Sequence, residues 1–240
     1  MALIDPDLLL RAYSIGVFPM ADSRDAGEVF WVEPRRRAII PIDGFRLSRS
    51  LRKTLRSGVF EVTTDAAFGE VIRRCAQREE TWINDEIEKS FVELHRLGHA
   101  HSVECRQEGE LVGGLYGVRL GGAFFGESMF STRTDASKVA LAWLVARLRV
   151  GGFGLLDCQF MTDHLRSLGA IEISQQDYLA LLASVAGSAM AGAGAGAARR
   201  AGEEAPEFGA LDRLLAADGA RTVDSAASGC VIAQLLGQTS

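Results

Sequence analysis

Apolar residues in the first 98 positions recur mainly at helical spacing. Asp5, followed by a proline, opens an apolar stretch with an N-cap residue. Leu51 and Leu55 are four residues apart and predict a second helix, which Ser48 caps. The pattern predicts helices over 6–15, 48–56, 66–78 and 85–97, and short strands over 29–32 and 38–41. Residues 1–98 are therefore predicted to form an N-terminal α+β domain.

Beyond residue 98 the pattern changes to alternating segments joined by glycine-containing turns. It predicts strands over 101–105, 110–118 and 123–130, a helix over 135–150, a strand over 155–159, a helix over 163–168, a strand over 170–173 and a helix over 175–186. Hairpins that lead into a helix, then a strand, a helix and a strand, follow the order of an acetyltransferase (GNAT)-like domain. The predicted fold is α+β with two domains, the second (99–186) a mixed sheet flanked by helices.

The end of the chain has a different character. Residues 187–202 are rich in glycine and alanine and are predicted to form a flexible linker. Residues 203–240 form a short tail, and its last apolar stretch, 230–237, is expected to pack back on the body. The sequence assigns no function to this tail.

The composition is that of a soluble globular protein, with 48% apolar and 24% charged residues. No apolar run approaches the roughly 20 residues of a membrane helix. Asp5 and Asp7 stand where a secretory signal would be basic. The four cysteines form no CxxC pair, which fits a reducing compartment. We therefore expect a cytoplasmic protein with no membrane association.

The net charge of −5 argues against a nucleic-acid partner, but the basic residues are unevenly distributed. Arg35, Arg36 and Arg37 are adjacent in a predicted loop. The predicted helix over 48–56 carries four more basic residues on the side opposite its leucines: Arg49, Arg52, Lys53 and Arg56. Phosphate binding depends on local basic surface and not on total charge. The pattern fits either a phosphate-binding face or a solvated helix face.

Two predicted strands carry candidate catalytic or binding groups. Asp157 and Gln159 share one face of their strand, and Cys158 points to the other. A buried carboxylate must be hydrogen-bonded or paired, so the two are either a proton acceptor with its orienting partner or a satisfied polar pair. Glu127 is expected to share a face with Phe125 and Met129, either to meet an amino group beside an apolar pocket or as an edge residue of a core strand.

Other candidates are weaker. Trp82 either stacks on a base or fills a domain interface. His99 and His101 are two residues apart without a third ligand of matching type, so no metal site is predicted. The segment 130–138, before the long helix, has no glycine, whereas acetyl-CoA-dependent enzymes of this architecture bind pyrophosphate there with a glycine-rich loop. An acyl-CoA-dependent N-acetyltransferase and a non-catalytic adaptor nevertheless stay as alternatives.

Ordered short runs resemble the leucyl/phenylalanyl-tRNA–protein transferase family over about residues 8–182. They include IGVFP (15–19), EPRRRAIIP (33–41), GHAHS (98–102), FGESMFS (125–131) and LLDCQ (155–159). The resemblance implies transfer of Leu or Phe, and less well Met, from charged tRNA to the N-terminal Arg or Lys of a protein, which creates a degradation signal. The ester is already activated, so no cofactor and no metal are expected. We also expect a monomer.

The resemblance further implies a role for each site residue. Asp157 would draw a proton, through Gln159, from the attacking α-amine. Glu127 would hold the α-amino group of the esterified amino acid, and Trp82 would stack on the terminal adenine. The donor side chain would be surrounded by Leu115, Phe124, Met129, Leu144, Leu148 and Leu156. The acceptor stem would lie along Arg49, Arg52, Lys53 and Arg56.

Three features depart from the family pattern. Met20 stands where the family often has tryptophan. Gln175 and Gln176 replace basic residues before the DYL run. The segment from residue 187 onward matches nothing in the pattern.

Overall fold

The computed structural model describes residues 3–186, 205–217 and 225–237, so the predicted linker (187–202) lies outside the described residues. The helices are α1 (Pro6–Ser14), α2 (Arg49–Ser57), α3 (Phe68–Ala76), α4 (Asp85–Arg96), α5 (Ala136–Val150), α6 (Asp163–Ser167), α7 (Gln175–Ala186), α8 (Ala210–Ala217) and α9 (Ser225–Leu235). The strands are β1 (Phe18–Met20), β2 (Phe30–Val32), β3 (Arg36–Ile40), β4 (Glu61–Thr64), β5 (Ala100–Gln107), β6 (Glu110–Leu120), β7 (Ala123–Ser131), β8 (Leu155–Gln159) and β9 (Ile171–Ser174).

The helices and strands predicted up to residue 186 are all present, with ends that differ by a few residues. Two predicted N-caps form as expected: the Leu8 N–H donates to Asp5 Oδ1 at 3.0 Å, and the Leu51 N–H donates to Ser48 Oγ at 3.1 Å. The pattern missed β1 and β4, because three or four residues are too few to establish an alternation.

Seven strands form one mixed sheet in the order β4-β5-β6-β7-β8-β3-β9. All neighbours are antiparallel except β7 and β8, which are parallel. Strands β1 and β2 form a separate antiparallel hairpin. The mixed sheet flanked by helices confirms the coarse α+β prediction. Strands from both sides of residue 98 share the sheet, and the division into domains at that residue stays a prediction.

Two buried apolar clusters lie on opposite faces of the sheet. One contains α5 together with residues of α2, α8 and α9, and we call this side the α5 face. The other contains residues of α1, α3, α4 and α7, and we call it the α1 face. In the described part of the chain, no helix has both the length and the apolar character needed to cross a bilayer.

The described residues of the tail pack on the α5 face. Ile232, Ala233 and Leu236 are buried there, which confirms that the apolar end of the chain folds back on the body. Arg147 of α5 is 2% exposed and forms an ion pair with Asp212 of α8, at 2.6 Å. The tail is therefore fixed by both apolar burial and a buried cation.

Candidate active site

Asp157 lies near the carboxyl end of β8 and is completely buried. Arg37, on the adjacent strand β3, donates to both its oxygens, with Nε 2.9 Å from Oδ1 and Nη2 2.6 Å from Oδ2. The Tyr178 hydroxyl donates to Oδ2 at 2.9 Å. These contacts pair a charge whose burial alone would be strongly destabilising.

Arg37 is only 1% exposed, so its predicted place in a basic loop is wrong. Its guanidinium carbon lies 4.7 Å from the ring centroid of Phe18 and 4.6 Å from that of Tyr178. Burial acts to lower the pKa of Arg37, but Asp157 together with the weaker effects of Tyr178 and Glu127 raises it above the ordinary value. The arginine enters the sheet because two aromatic rings and a carboxylate replace the water that it loses.

Gln159 ends β8 in an unusual backbone conformation. Its φ is +62°, in the left-handed region that side-chain-bearing residues rarely adopt. Its N–H donates to Asp157 Oδ1 at 2.8 Å, and its Nε2 is buried without a hydrogen-bond partner among the described residues. Asp157 therefore fixes the Gln159 backbone, while the side-chain amide lies close enough to Glu127 to lower the pKa of that carboxyl group.

The predicted alternation along β8 holds as far as Cys158. Leu155 lies in the α1-face cluster, Asp157 contacts Tyr178 of that cluster, and Leu156 and Cys158 pack on the α5 face. The β3–β8 pairing then shifts register, because Ile39 pairs with Asp157 and Ala38 with Gln159, so the regular alternation does not extend to Gln159. Burial raises the pKa of the Cys158 thiol, which disfavours the thiolate that a nucleophile needs.

Glu127 of β7 is the second buried acid of the site, at 7% exposure. The Tyr13 hydroxyl donates to its Oε1 at 2.7 Å, while its Oε2 is buried without a partner among the described residues. Burial raises the pKa of Glu127 to about 7, against the effects of the Tyr13 hydrogen bond and the nearby Gln159 amide. This carboxyl group thus gains and loses its proton near neutral pH.

Arg37, Glu127 and Asp157 interact electrostatically, and we call them the buried charge cluster. When both acids are ionised, two negative charges face one positive charge. The cluster then has a net charge of −1, and the unpaired oxygen of Glu127 is where a further cation would be stabilised.

Met129 does not share a face with Glu127, contrary to the prediction. Gly126 pairs with Gly117 and Ser128 with Tyr116, so Glu127 is an extra residue in β7, a β-bulge. A side chain at Gly117 would lie 2.2 Å from the Phe125 carbonyl oxygen, which explains why glycine stands opposite the bulge. The bulge reverses the alternation, and Met129 packs on the α5 face while Phe125 lies on the α1 face.

The six residues predicted to surround the donor side chain all lie on the α5 face. Five are buried in that cluster and Met129 packs against it: Leu115, Phe124, Leu144, Leu148 and Leu156. The acids and this apolar group therefore lie on opposite sides of the sheet. The β7–β8 pairing stops at Phe125 and Asp157, although β7 continues to Ser131. Beyond that pair the two strands are no longer paired, and Glu127 and Gln159 follow directly after it.

The four predicted phosphate-binding residues line one surface depression of about 530 Å³ on α2: Arg49, Arg52, Lys53 and Arg56. Within the residues that the structure describes, none of the four forms an ion pair with a carboxylate. Their charges are therefore available to an external anion.

Trp82 is partly buried and packs against the α1-face cluster, together with Met20. The Ala21 N–H donates to the Trp82 carbonyl oxygen at 3.0 Å, which ties the tryptophan to the β1–β2 hairpin. Across that hairpin, Phe30 pairs with Met20 and is 43% exposed. An aromatic ring thus stands next to the position where the family often has tryptophan.

His101 behaves as the predicted hydrogen-bonding residue. His101 Nδ1 lies 2.8 Å from Asp65 Oδ2. No set of three or more His, Cys, Asp or Glu side chains in the described ranges is arranged to hold a metal ion.

Sequence analysis missed three residues of the site: Tyr13, Arg37 and Tyr178. Their signals were present. A buried carboxylate requires a cation, and Arg37 directly precedes the apolar run Ala38–Ile40 of β3. Tyr13 lies on α1 and Tyr178 on α7. The positions of their hydroxyl groups depend on how these helices pack, which no local sequence pattern encodes.

Comparison with known proteins gives consistent results. The model of the leucyl/phenylalanyl-tRNA protein transferase family matches residues 39–183, and the model of its N-terminal domain matches residues 3–35. The leucyl/phenylalanyl-tRNA–protein transferase of Rhizorhabdus wittichii is 66% identical over 249 aligned residues, covering all of both chains. That of Zymomonas mobilis is 60% identical over 190 residues, covering 78% of this chain and 71% of that one.

The solved structure of L-PGS from Bacillus licheniformis aligns with 65% of this chain and 53% of that chain. The TM-score is 0.37 and the sequence identity 12%, which is too little to support an argument. The two family models together span nearly all of the first 183 residues, and one relative aligns over the full length. The chain belongs to the leucyl/phenylalanyl-tRNA–protein transferase family.

Proposed function

We propose that this transferase moves leucine or phenylalanine, and less well methionine, from charged tRNA to the N-terminal Arg or Lys of acceptor proteins. The new N-terminal residue then acts as a degradation signal. We further propose that the enzyme works in the cytoplasm as a monomer. One observation carries the proposal: a buried, net-negative cluster in which one oxygen of Glu127 has no partner among the described residues.

Glu127 is proposed to bind the α-amino group of the esterified amino acid. As an ammonium, that group would donate to the unpaired Oε2 and neutralise the buried charge cluster. Two unit charges 4 Å apart attract by about 4 kcal/mol at the effective dielectric of protein sites. Such binding would place the ester carbonyl near the end of β8.

Asp157 is proposed to assist, through Gln159, the loss of a proton from the incoming α-amine. As the nitrogen attacks the ester carbonyl, the new C–N bond replaces the ester C–O bond, and the proton ends on the released 3′-oxygen of the tRNA. An ordinary protein α-amine has a pKa near 8, so part of it is already neutral at pH 7. Arg37 and Tyr178 occupy the oxygens of Asp157, so the amine would contact the Gln159 amide. Asp157 would act through Gln159, by holding its backbone and stabilising the positive charge that develops on nitrogen.

The donor side chain is proposed to pass between β7 and β8, beyond their last pair, into the apolar group on the α5 face. Unbranched or γ-branched side chains fit such a passage, and β-branched ones meet its walls at Cβ. The parallel β7–β8 pair that parts at its end supports an acetyltransferase-like arrangement of this sheet. Trp82 is proposed to stack on the terminal adenine, and the cations of α2 to contact the acceptor stem.

The decisive experiment incubates the protein with radiolabelled Phe-tRNA and a peptide that begins with Arg. We expect label in the peptide, and none with the same peptide acetylated at its N-terminus. A second arm replaces Phe-tRNA with acetyl-CoA, which separates the rival N-acetyltransferase. Absence of transfer by a protein that binds Phe-tRNA would overturn the enzymatic proposal and favour an adaptor.

A further inference from the structure

We infer that the C-terminal tail is a working part of the tRNA interface, in which α9 positions the cationic face of α2 and forms a wall beside it. The inference rests on the proposed binding of tRNA by α2. The partner surface is an RNA sugar-phosphate backbone.

The first observation is the contact between α9 and α2. A Cβ at Gly229 of α9 would lie 1.9 Å from the Leu55 carbonyl oxygen, so the helix backbones touch at this point. One turn earlier, Ala226 of α9 approaches Gly58, which ends α2 with φ +64°. Leu55 is buried, and its neighbours Lys53 and Arg56 are exposed. Because α9 covers the apolar side of α2, it fixes the orientation of the opposite, basic side.

The second observation is a depression that the tail helps to form. Leu236 and Gly237 line a cavity of about 530 Å³ together with Arg46 and Arg52. Arg52 also lines the depression formed by the basic residues of α2. The two depressions thus share a cation. Asp43, which also lines the first of them, is paired with Arg149, and Arg46 and Arg52 lie between α2 and the end of α9. Within the described ranges, Arg46 and Arg52 form no ion pair with a carboxylate.

The third observation is how firmly the tail is held. Arg149 of α5 donates to the Leu235 carbonyl oxygen at 2.6 Å and forms an ion pair with Asp43 at 3.0 Å. This arginine therefore joins the end of α9 to the loop before α2.

The steric test is Gly229→Ala, with Cys230→Ala as the matched control because Cys230 is exposed on the same helix. Alanine favours helix over glycine, so any loss comes from the clash with α2. We expect Phe-tRNA affinity to fall about tenfold, KM for tRNA to rise and kcat at saturating tRNA to stay unchanged. Cys230→Ala should match the wild type.

The charge test places an acid beside Arg52. Gly237 is exposed, and a Cβ there would lie 3.0 Å from the Ala233 carbonyl oxygen and 3.2 Å from Arg52 Nη2. Gly237→Asp should therefore pair with Arg52, weaken tRNA binding and reduce the slope of log affinity against log salt by about one. Cys230→Asp, with the same net charge, should keep the wild-type slope.

The outcomes separate the two proposals. Wild-type protein that does not bind Phe-tRNA would refute the proposed function itself. Wild-type binding together with unchanged affinity and salt slope in both Gly229→Ala and Gly237→Asp would overturn the role of the tail. If Gly229→Ala fails to fold, Gly237→Asp against its control decides alone.

Discussion

Replacing Glu127 with glutamine should make the protein more stable above neutral pH while impairing its function. The change keeps the shape of the side chain and an oxygen that can accept from Tyr13. Wild-type Glu127 has a folded pKa of about 7, raised from an ordinary value near 4.5. The unfolded chain therefore loses this proton more readily, so stability from this group falls as pH rises from about 4.5 through 7.

The size of the effect follows from the shift. Each tenfold change in acidity corresponds to about 1.4 kcal/mol, so the raised pKa corresponds to a penalty of roughly 3 kcal/mol above pH 7. Glutamine cannot ionise, so the variant does not lose this stability at high pH. The difference in unfolding free energy between variant and wild type should therefore grow by roughly 3 kcal/mol between pH 4.5 and 8.

Urea unfolding followed by circular dichroism at several pH values measures this difference. The change with pH is the informative quantity, because a constant offset reflects other consequences of the substitution. A control at an exposed acid, Glu33→Gln, should show no such growth. If the difference in unfolding free energy between Glu127→Gln and wild type does not change between pH 4.5 and 8, burial does not raise the pKa of Glu127. The proposed uncompensated negative charge of the cluster would then be refuted as well.

Three further predictions rest on the same geometry. Arg37→Met leaves Asp157 buried without its cation and should lower the free energy of unfolding, measured in urea, by about 3–5 kcal/mol. Adding Asp157→Asn should restore part of this stability, and a decrease under about 1 kcal/mol for Arg37→Met would contradict the buried pair. Below about pH 7, transfer measured as kcat/KM should fall more steeply in wild type than in Glu127→Gln, because protonated Glu127 cannot hold an ammonium. Protonation of the acceptor amine lowers the rate in both proteins, so equal slopes would contradict the role of Glu127. Leu148→Ala should lower the free energy of unfolding, measured by heat or urea, by about 2–5 kcal/mol. It should also widen the range of amino acids that the enzyme transfers, and an unchanged preference among Leu, Phe and Met would place the donor pocket elsewhere.

The sequence predicted elements where a local pattern is complete. Asp5 and Ser48 cap their helices as expected, and the alternation in β8 separates Asp157 from Cys158. Prediction from the sequence failed where the backbone departs from the regular alternation of a strand. The bulge at Glu127 depends on Gly117 of a different strand, so the alternation of β7 alone placed Met129 on the wrong face.

Arg37 illustrates a second limit. Three adjacent arginines are typical of a solvated loop, and only the ion pair with Asp157 of β8 shows that Arg37 is buried. The pair is 120 residues apart in sequence, so no local pattern connects them. The same holds for Tyr13 and Glu127, which are 114 residues apart. Sequence identified the acids, and tertiary packing supplies their partners.

The central claim is that Glu127 recognises the donor's α-amino group, and a change in the donor itself tests it most directly. Transfer rates would be compared for Phe-tRNA and for tRNA carrying phenyllactate, which has a hydroxyl in place of the amine, in wild type and in Glu127→Gln. We expect wild type to prefer the amine at least tenfold and the variant to use both donors at similar, low rates. The same amine preference in both proteins would show that Glu127 does not bind the donor amine.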